Sequence, residues 1–154
     1  MPNQVELKRI PATPLLAVRR TAPQSQLSRV VPDACGVVWN FIRKNEITPR
    51  GRNVAVYLNG NIDMEIGVEV ATTAVGGGDV ILSATPAGNV ATATHWGDYR
   101  GLGGAHQAVV QWCDANGHRR AGPSWEIYGH MGDDPAKVRT DVFYLLAADS
   151  KASA

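Results

Sequence analysis

The chain has 154 residues, enough to bury a real core within one domain. Apolar residues make up 44% and charged residues 19%, which excludes a disordered chain. The formal net charge is only +1, and the nearest basic clusters, Arg50-Gly51-Arg52 and His118-Arg119-Arg120, read as solvated loops, so no nucleic acid is expected at its own surface. No apolar run approaches the length of a bilayer span, and the opening MPNQVELKRIP has no continuous hydrophobic segment of a secretory signal. The expectation is a cytoplasmic protein without membrane contact. Cys35 and Cys113 stand alone, with neither metal-ligand spacing nor a disulfide framework, and both fall in apolar helical contexts.

Val5 to Ile10 alternates as a strand; Pro11 and Pro14 interrupt it, and Leu15 to Val18 resumes the extended reading. Thr21 to Val31 reads as a polar loop, and Pro32-Asp33 as a helix opening, because proline suits the first helical position. Ala34, Val37, Val38, Phe41 and Ile42 follow at helical spacing, and Asn45 ends the helix. Pro49 and Gly51 mark a turn before the strand Val54–Leu58. Asn59-Gly60 signals a hairpin, and Ile62 to Val70 alternates behind it, with Asp63, Glu65, Gly67 and Glu69 on one face. The glycines 76–78 read as a joint between two halves.

The second half repeats the order. Val80–Ala84 and Val90–Trp96 are strand-like, and Leu102, Ala105, Val109, Trp112 and Cys113 form a helical stripe closed by Gly117. Gly122-Pro123 opens the strand Trp125–Tyr128, Asp133-Asp134-Pro135 turns the chain, and Val138 to Leu146 is the last strand. The halves align at a constant step of 71 residues, which joins Asn45 to Asn116, Gly51 to Gly122, Val38 to Val109 and Tyr57 to Tyr128. Glu65 and Asp141 correspond at a step of 76 after a longer turn. Agreement of residue order with element order argues for duplication. The expected fold is α+β: a duplicated βαββ unit, an antiparallel sheet with two helices on one face, and a central groove. Residues 1–154 then form a single domain with pseudo-repeats over roughly 5–75 and 79–148.

The segment from Gly88 to His130 carries His95, Gly97 and Tyr99, then Gly122-Pro123, then Glu126 and Tyr128. In that order they resemble the H-x-G-x-Y element, Gly-Pro turn and E-x-Y strand of GyrI-like effector-binding domains. The stretch IDMEIGVEV, with Gly67, resembles the first-half strand of the same family. Trp96 is a departure, a bulky aromatic inside the H-x-G-x-Y element. The resemblance spans nearly the whole chain and implies binding of lipophilic, often cationic and aromatic small molecules, multidrug binding as in bacterial transcription regulators. Some relatives are free-standing and some hydrolyse cyclopropane-bearing genotoxins. The alternatives for this chain are therefore such a hydrolase, with Glu126 as its base, and a protein-interaction role that modulates a partner such as gyrase. Nothing before Val5 or after Ala148 leaves room for a helix-turn-helix module, so a role through its own DNA contacts is not expected.

Strand alternation puts Ser124, Glu126, Tyr128 and His130 on one face and Trp125 and Ile127 on the other. Glu126 corresponds to Ala55 in the first repeat, so the fold itself does not require the carboxylate. A carboxylate among aromatic rings suits a ligand cation, or serves as general base in a hydrolase with Tyr128 orienting the reactants; an ordinary exposed strand glutamate is the bland alternative. Ligand-binding candidates are Trp39, Tyr57, Glu65, Trp96, Tyr99, Glu126 and Tyr128, with Glu69 competing with Glu65 as a second carboxylate. Tyr57 and Tyr128 serve equally well as tyrosines closing the core, Trp39 is open between core and pocket, and Trp112 reads as core. His95, His106, His118 and His130 lack zinc spacing, none stands out as an axial donor for haem, and no phosphate loop is present, so neither metal nor cofactor is expected.

Overall fold

The computed structural model describes residues 4–48, 50–59, 63–98, 101–129 and 138–147. Its elements run β1 (Glu6–Ile10), β2 (Pro14–Thr21), a 3-10 turn (Gln24–Gln26), α1 (Leu27–Lys44), β3 (Arg50–Asn59), β4 (Asp63–Val70), β5 (Ile81–Ala84), β6 (Gly88–Trp96), α2 (Leu102–Asn116), β7 (Arg120–Tyr128) and β8 (Arg139–Leu146). The expected turns at Gly60 and at Asp133-Asp134-Pro135 lie outside the described residues. Two compact units emerge, one from Ala12–Pro86 and one from the chain before Ala12 and after Pro86. Each is an antiparallel sheet with one helix, so the fold is α+β, built from β2-α1-β3-β4 and β6-α2-β7-β8.

In the first unit the strand order is β3-β4-β2-β5. Register pairs Leu16 with Val68 and Val18 with Ile66, which puts all four on one face, and Ala55 and Tyr57 of β3 share it. Against that face packs α1, whose Ala34, Val38 and Ile42 recur every four residues and are fully buried. Each larger aliphatic side chain withdrawn from water here stabilises the unit by about 2 kcal/mol. At the centre of β4, Gly67 lies opposite Ala17; a Cβ there would meet the Leu16 carbonyl oxygen at 2.0 Å, so only glycine permits this strand spacing.

Two sequence expectations are corrected here. The α1 helix begins at Leu27, within the expected loop, and Pro32 sits inside it. Leu27, Val30 and Val31 are half-buried, so the apolar stripe extends through the proline; Pro32 is itself exposed, on the side where a lost intrahelical hydrogen bond costs least. Glycines 76–78 form a tight turn inside the first unit, in which Gly77 and Val80 exchange backbone hydrogen bonds at 2.8 and 3.0 Å. The chain passes between units at Pro11/Ala12 and at Pro86/Ala87 instead.

The second unit has the order β1-β6-β8-β7. Its first strand comes from the start of the chain: Glu6 pairs with Thr92 and Ile10 with Gly88. Correspondingly, β5 pairs with β2, within the first unit. The α2 helix buries Leu102, Ala105, Val109 and Cys113 against Ala91, Ala93, Val142 and Leu146. It ends at Gly117, whose φ of 74° is the left-handed conformation that glycine adopts without strain.

Candidate functional site

The site grows out of β7 in the second unit. Register places Ser124 opposite Tyr144, Glu126 opposite Val142 and Tyr128 opposite Thr140, so all six lie on one face. Val142 belongs to the core beneath α2, and Tyr128 and Tyr144 pack against that core, so this face lies under the helix. Glu126 is 5% exposed, a carboxylate held in an apolar layer. Such a charge demands partners, and it has them.

Tyr128 donates its hydroxyl hydrogen to Glu126 Oε1. On the other side, His106 Nε2 lies 2.5 Å from Glu126 Oε2 and His106 Nδ1 lies 2.7 Å from the Tyr144 hydroxyl. Burial pushes the Tyr144 phenol up from its ordinary value, against a downward pull from Arg120, so the hydroxyl keeps its proton at neutral pH. A protonated phenol donates to Nδ1, which leaves the ring hydrogen on Nε2 to donate to the carboxylate. The rings of His106 and Tyr144 meet edge to face at 79°. The result is a chain of donors, Tyr144 to His106 to Glu126, closed from the far side by Tyr128. Thr140, opposite Tyr128, is fully buried, and its hydroxyl has no hydrogen-bond partner among the described residues.

Glu126 and Tyr128 were legible candidates and the structure brings them together. It adds His106 and Tyr144. His106 follows Ala105 on the buried stripe of α2, and that adjacency was the available signal. Both of its ring nitrogens are engaged, Nδ1 by Tyr144 and Nε2 by Glu126. Among the described residues no group of three or more His, Cys, Asp or Glu side chains is placed to hold a metal ion. No helix among them is long and apolar enough to cross a membrane.

The remaining candidates have other surroundings. Tyr57 is buried in the first unit, on the face beneath α1. Trp39 is half-buried, and its indole N–H donates to Asn53 Oδ1 at 2.6 Å. Glu65 lies on the face away from α1, where Arg19 at 2.9 Å and Ser83 at 2.5 Å donate to its carboxylate. Glu69 accepts from the Arg52 backbone N–H at 2.8 Å and from its guanidinium at 3.0 and 3.1 Å. In the second unit Trp96 is 58% exposed on the face away from α2, with the Arg139 guanidinium 5.7 Å from its ring centre. Trp112 stacks on His118 at 5.1 Å. Tyr99 and His130 lie outside the described residues.

Known structures share the architecture. The C-terminal domain of EcmrR superposes with a TM-score of 0.78 at 22% identity, covering 96% of this chain and 99% of that one. SAV2435, solved bound to tetraphenylphosphonium, gives 0.68 at 8% identity, covering 94% of each. A hydrolase from Listeria innocua gives 0.60 at 12% identity, covering 94% of this chain and 92% of its own. No curated protein sequence matches the chain. The family model of the GyrI-like small molecule binding domain matches residues 3–146, and with a βαββ fold in each unit the chain belongs to that family.

Proposed function

We propose that this protein binds lipophilic aromatic cations, with Glu126 as the counter-charge. The observation that carries the reading is a buried carboxylate whose two oxygens already hold donors from Tyr128 and His106. A cation such as tetraphenylphosphonium carries no hydrogen-bond donors, so it needs proximity to a fixed negative charge rather than a free lone pair. Tyr128 and Tyr144 supply ring surface beside that charge. The likeness to SAV2435, a structure with tetraphenylphosphonium bound, supports the ligand class.

Titration with tetraphenylphosphonium tests it, with triphenylphosphine oxide as the neutral comparison. Cation at one hundred times its dissociation constant adds about 2.7 kcal/mol of stability, readily seen in a melting curve. Glu126→Gln keeps the shape and loses the charge, so cation affinity falls at least tenfold while the neutral compound is unaffected. Equal cation affinity in both proteins overturns the reading.

The donor chain also favours a second reading, hydrolysis of an electrophilic cyclopropane-type genotoxin with Glu126 as general base. Glu126 takes the proton from attacking water, and the donors from His106 and Tyr128 hold the carboxylate in place for that step. In that case Glu126→Gln abolishes turnover of a cyclopropane-bearing electrophile while sparing much of its binding. Turnover that survives the substitution removes this reading.

A further inference from the structure

Binding a cation at Glu126 requires no histidine, yet His106 is the group that completes the carboxylate. The cluster has two arrangements, and both satisfy every hydrogen bond in the chain. With a neutral imidazole, the Tyr144 hydroxyl donates to Nδ1, Nε2–H donates to Glu126, and the pair carries one negative charge. With an imidazolium, Nδ1–H donates instead, the Tyr144 oxygen turns to accept, and the pair is neutral. A hydroxyl can serve either role without moving, and the hydrogen it withdraws from Nδ1 can turn to Ser124, the other side chain bonded to Tyr144.

The titratable neighbours within the unit are few. From β7 come Glu126 and Tyr128 on the carboxylate side, with Arg120 at the strand's start beside Tyr144. From β8 comes Tyr144, whose phenol stays protonated because burial raises it. From α2 itself comes Cys113, which burial also pushes up. From β6 comes His95, held on the Asp98 carbonyl oxygen at 2.7 Å. Of these, Glu126 is the one charged group in direct hydrogen-bond contact with the His106 ring among the described residues.

We propose that His106 is a specificity-determining residue, which admits a cation to the Glu126 site when its ring is neutral and refuses it when its ring carries a proton. The proposal rests on the reading of Glu126 as counter-charge. A proton on His106 and a ligand cation are alternatives for the same negative charge, so binding one expels the other. By linkage, affinity for a monocation weakens by up to roughly tenfold for each pH unit below the imidazole titration. Neutral aromatic ligands, which draw nothing from the charge, bind equally on both sides of it.

The test is calorimetric titration of tetraphenylphosphonium between pH 5.5 and 8, repeated in buffers of different ionisation enthalpy to count protons released. The wild-type protein should bind at least tenfold more weakly at pH 5.5 than at pH 7.5, with close to one proton released at the acid end. His106→Gln keeps an N–H for Glu126 but cannot take the proton, so its affinity should be flat across the range. Nuclear magnetic resonance of the wild-type ring supplies a check independent of any variant: adding the cation should move the His106 titration to lower pH. Cation binding that needs Glu126 but is flat with pH, or equally pH-dependent in His106→Gln, overturns the role of His106 alone. Failure of the wild-type protein to bind the cation at any pH overturns that role and the binding reading together.

Discussion

The two units use matching positions for opposite chemistry. At the step of 71 residues, Cys35 matches His106, Ala55 matches Glu126 and Tyr57 matches Tyr128; at the step of 76, Val68 matches Tyr144. Ala55 and Val68 are fully buried, and burial pushes the Cys35 thiol up to about 11, as expected of a dry layer. In the second unit the same layer carries a carboxylate, an imidazole and two phenols linked by hydrogen bonds. One copy of the fold thus serves as a reference for the other. The polar cluster is an addition that the βαββ unit does not need, and unneeded buried polarity is where function is to be sought.

Transplanting the charge without its imidazole breaks this comparison most severely. Ala55→Glu puts a carboxylate where Tyr57 answers to Tyr128 but Cys35 and Val68 stand in place of His106 and Tyr144. The expected loss is about 3 kcal/mol, from an incompletely partnered buried charge together with overpacking. Urea unfolding reads it directly. Adding Cys35→His and Val68→Tyr should restore part of that loss. If Ala55→Glu alone costs less than 1 kcal/mol, the first unit's layer is not dry, and Glu126 owes less to its partners than its geometry implies.

Much of this division was readable in the sequence, because it rests on local pattern. Alternation on the β7 strand fixed Glu126 and Tyr128 on one face. The helical stripe and Gly117 delimited α2, and the absence of a carboxylate at Ala55 marked Glu126 as optional. What could not be read depends on long-range placement. Nothing local says that β1 pairs with β6 rather than continuing into β2, or that Arg19 and Ser83 converge on Glu65. His106 and Tyr144 are separated by 38 residues, and meet only because α2 lies across β8. Pro32 misled for another reason: proline weakens a helix without forbidding it, and the stripe on either side outweighed it.

The helix ends give a smaller contrast. Asn45 and Asn116 each turn a side-chain amide onto the carbonyl four residues back, at 2.9 and 2.8 Å. Ile47 and His118 each donate a backbone N–H to the carbonyl five residues back, at 3.1 and 2.9 Å. Between them the first unit has Glu46 at φ 51° where the second has Gly117 at φ 74°. A side chain in the left-handed region costs about 1 kcal/mol that glycine avoids. Glu46→Gly should therefore stabilise the protein by up to about 0.5 kcal/mol after the added freedom of the unfolded chain is subtracted. Gly117→Glu should lose a similar amount. Denaturation midpoints that move the same way in both variants would show that the two ends are not equivalent.

The smallest effect separates Tyr144 from Val68 at alkaline pH. Burial raises the Tyr144 phenol above its unfolded value, with Arg120 opposing and Glu126 reinforcing the rise. A raised acid favours its neutral form in the folded state. The associated stability is complete below the unfolded value near 10 and is lost as pH climbs through the folded one. Above pH 10 the wild-type midpoint in urea should fall faster than that of Tyr144→Phe, which has no phenol to ionise. The matching position in the first unit, a valine, contributes nothing to that slope. Below pH 9 the order of effects reverses in origin: Tyr144→Phe is the less stable protein there, because His106 Nδ1 loses its donor. A pair of curves that approach one another with rising pH is the expected result. Parallel curves would mean that the phenol titrates alike in the folded and unfolded chains, and that its place at the end of the donor chain rests on packing against His106 rather than on a proton kept there by burial.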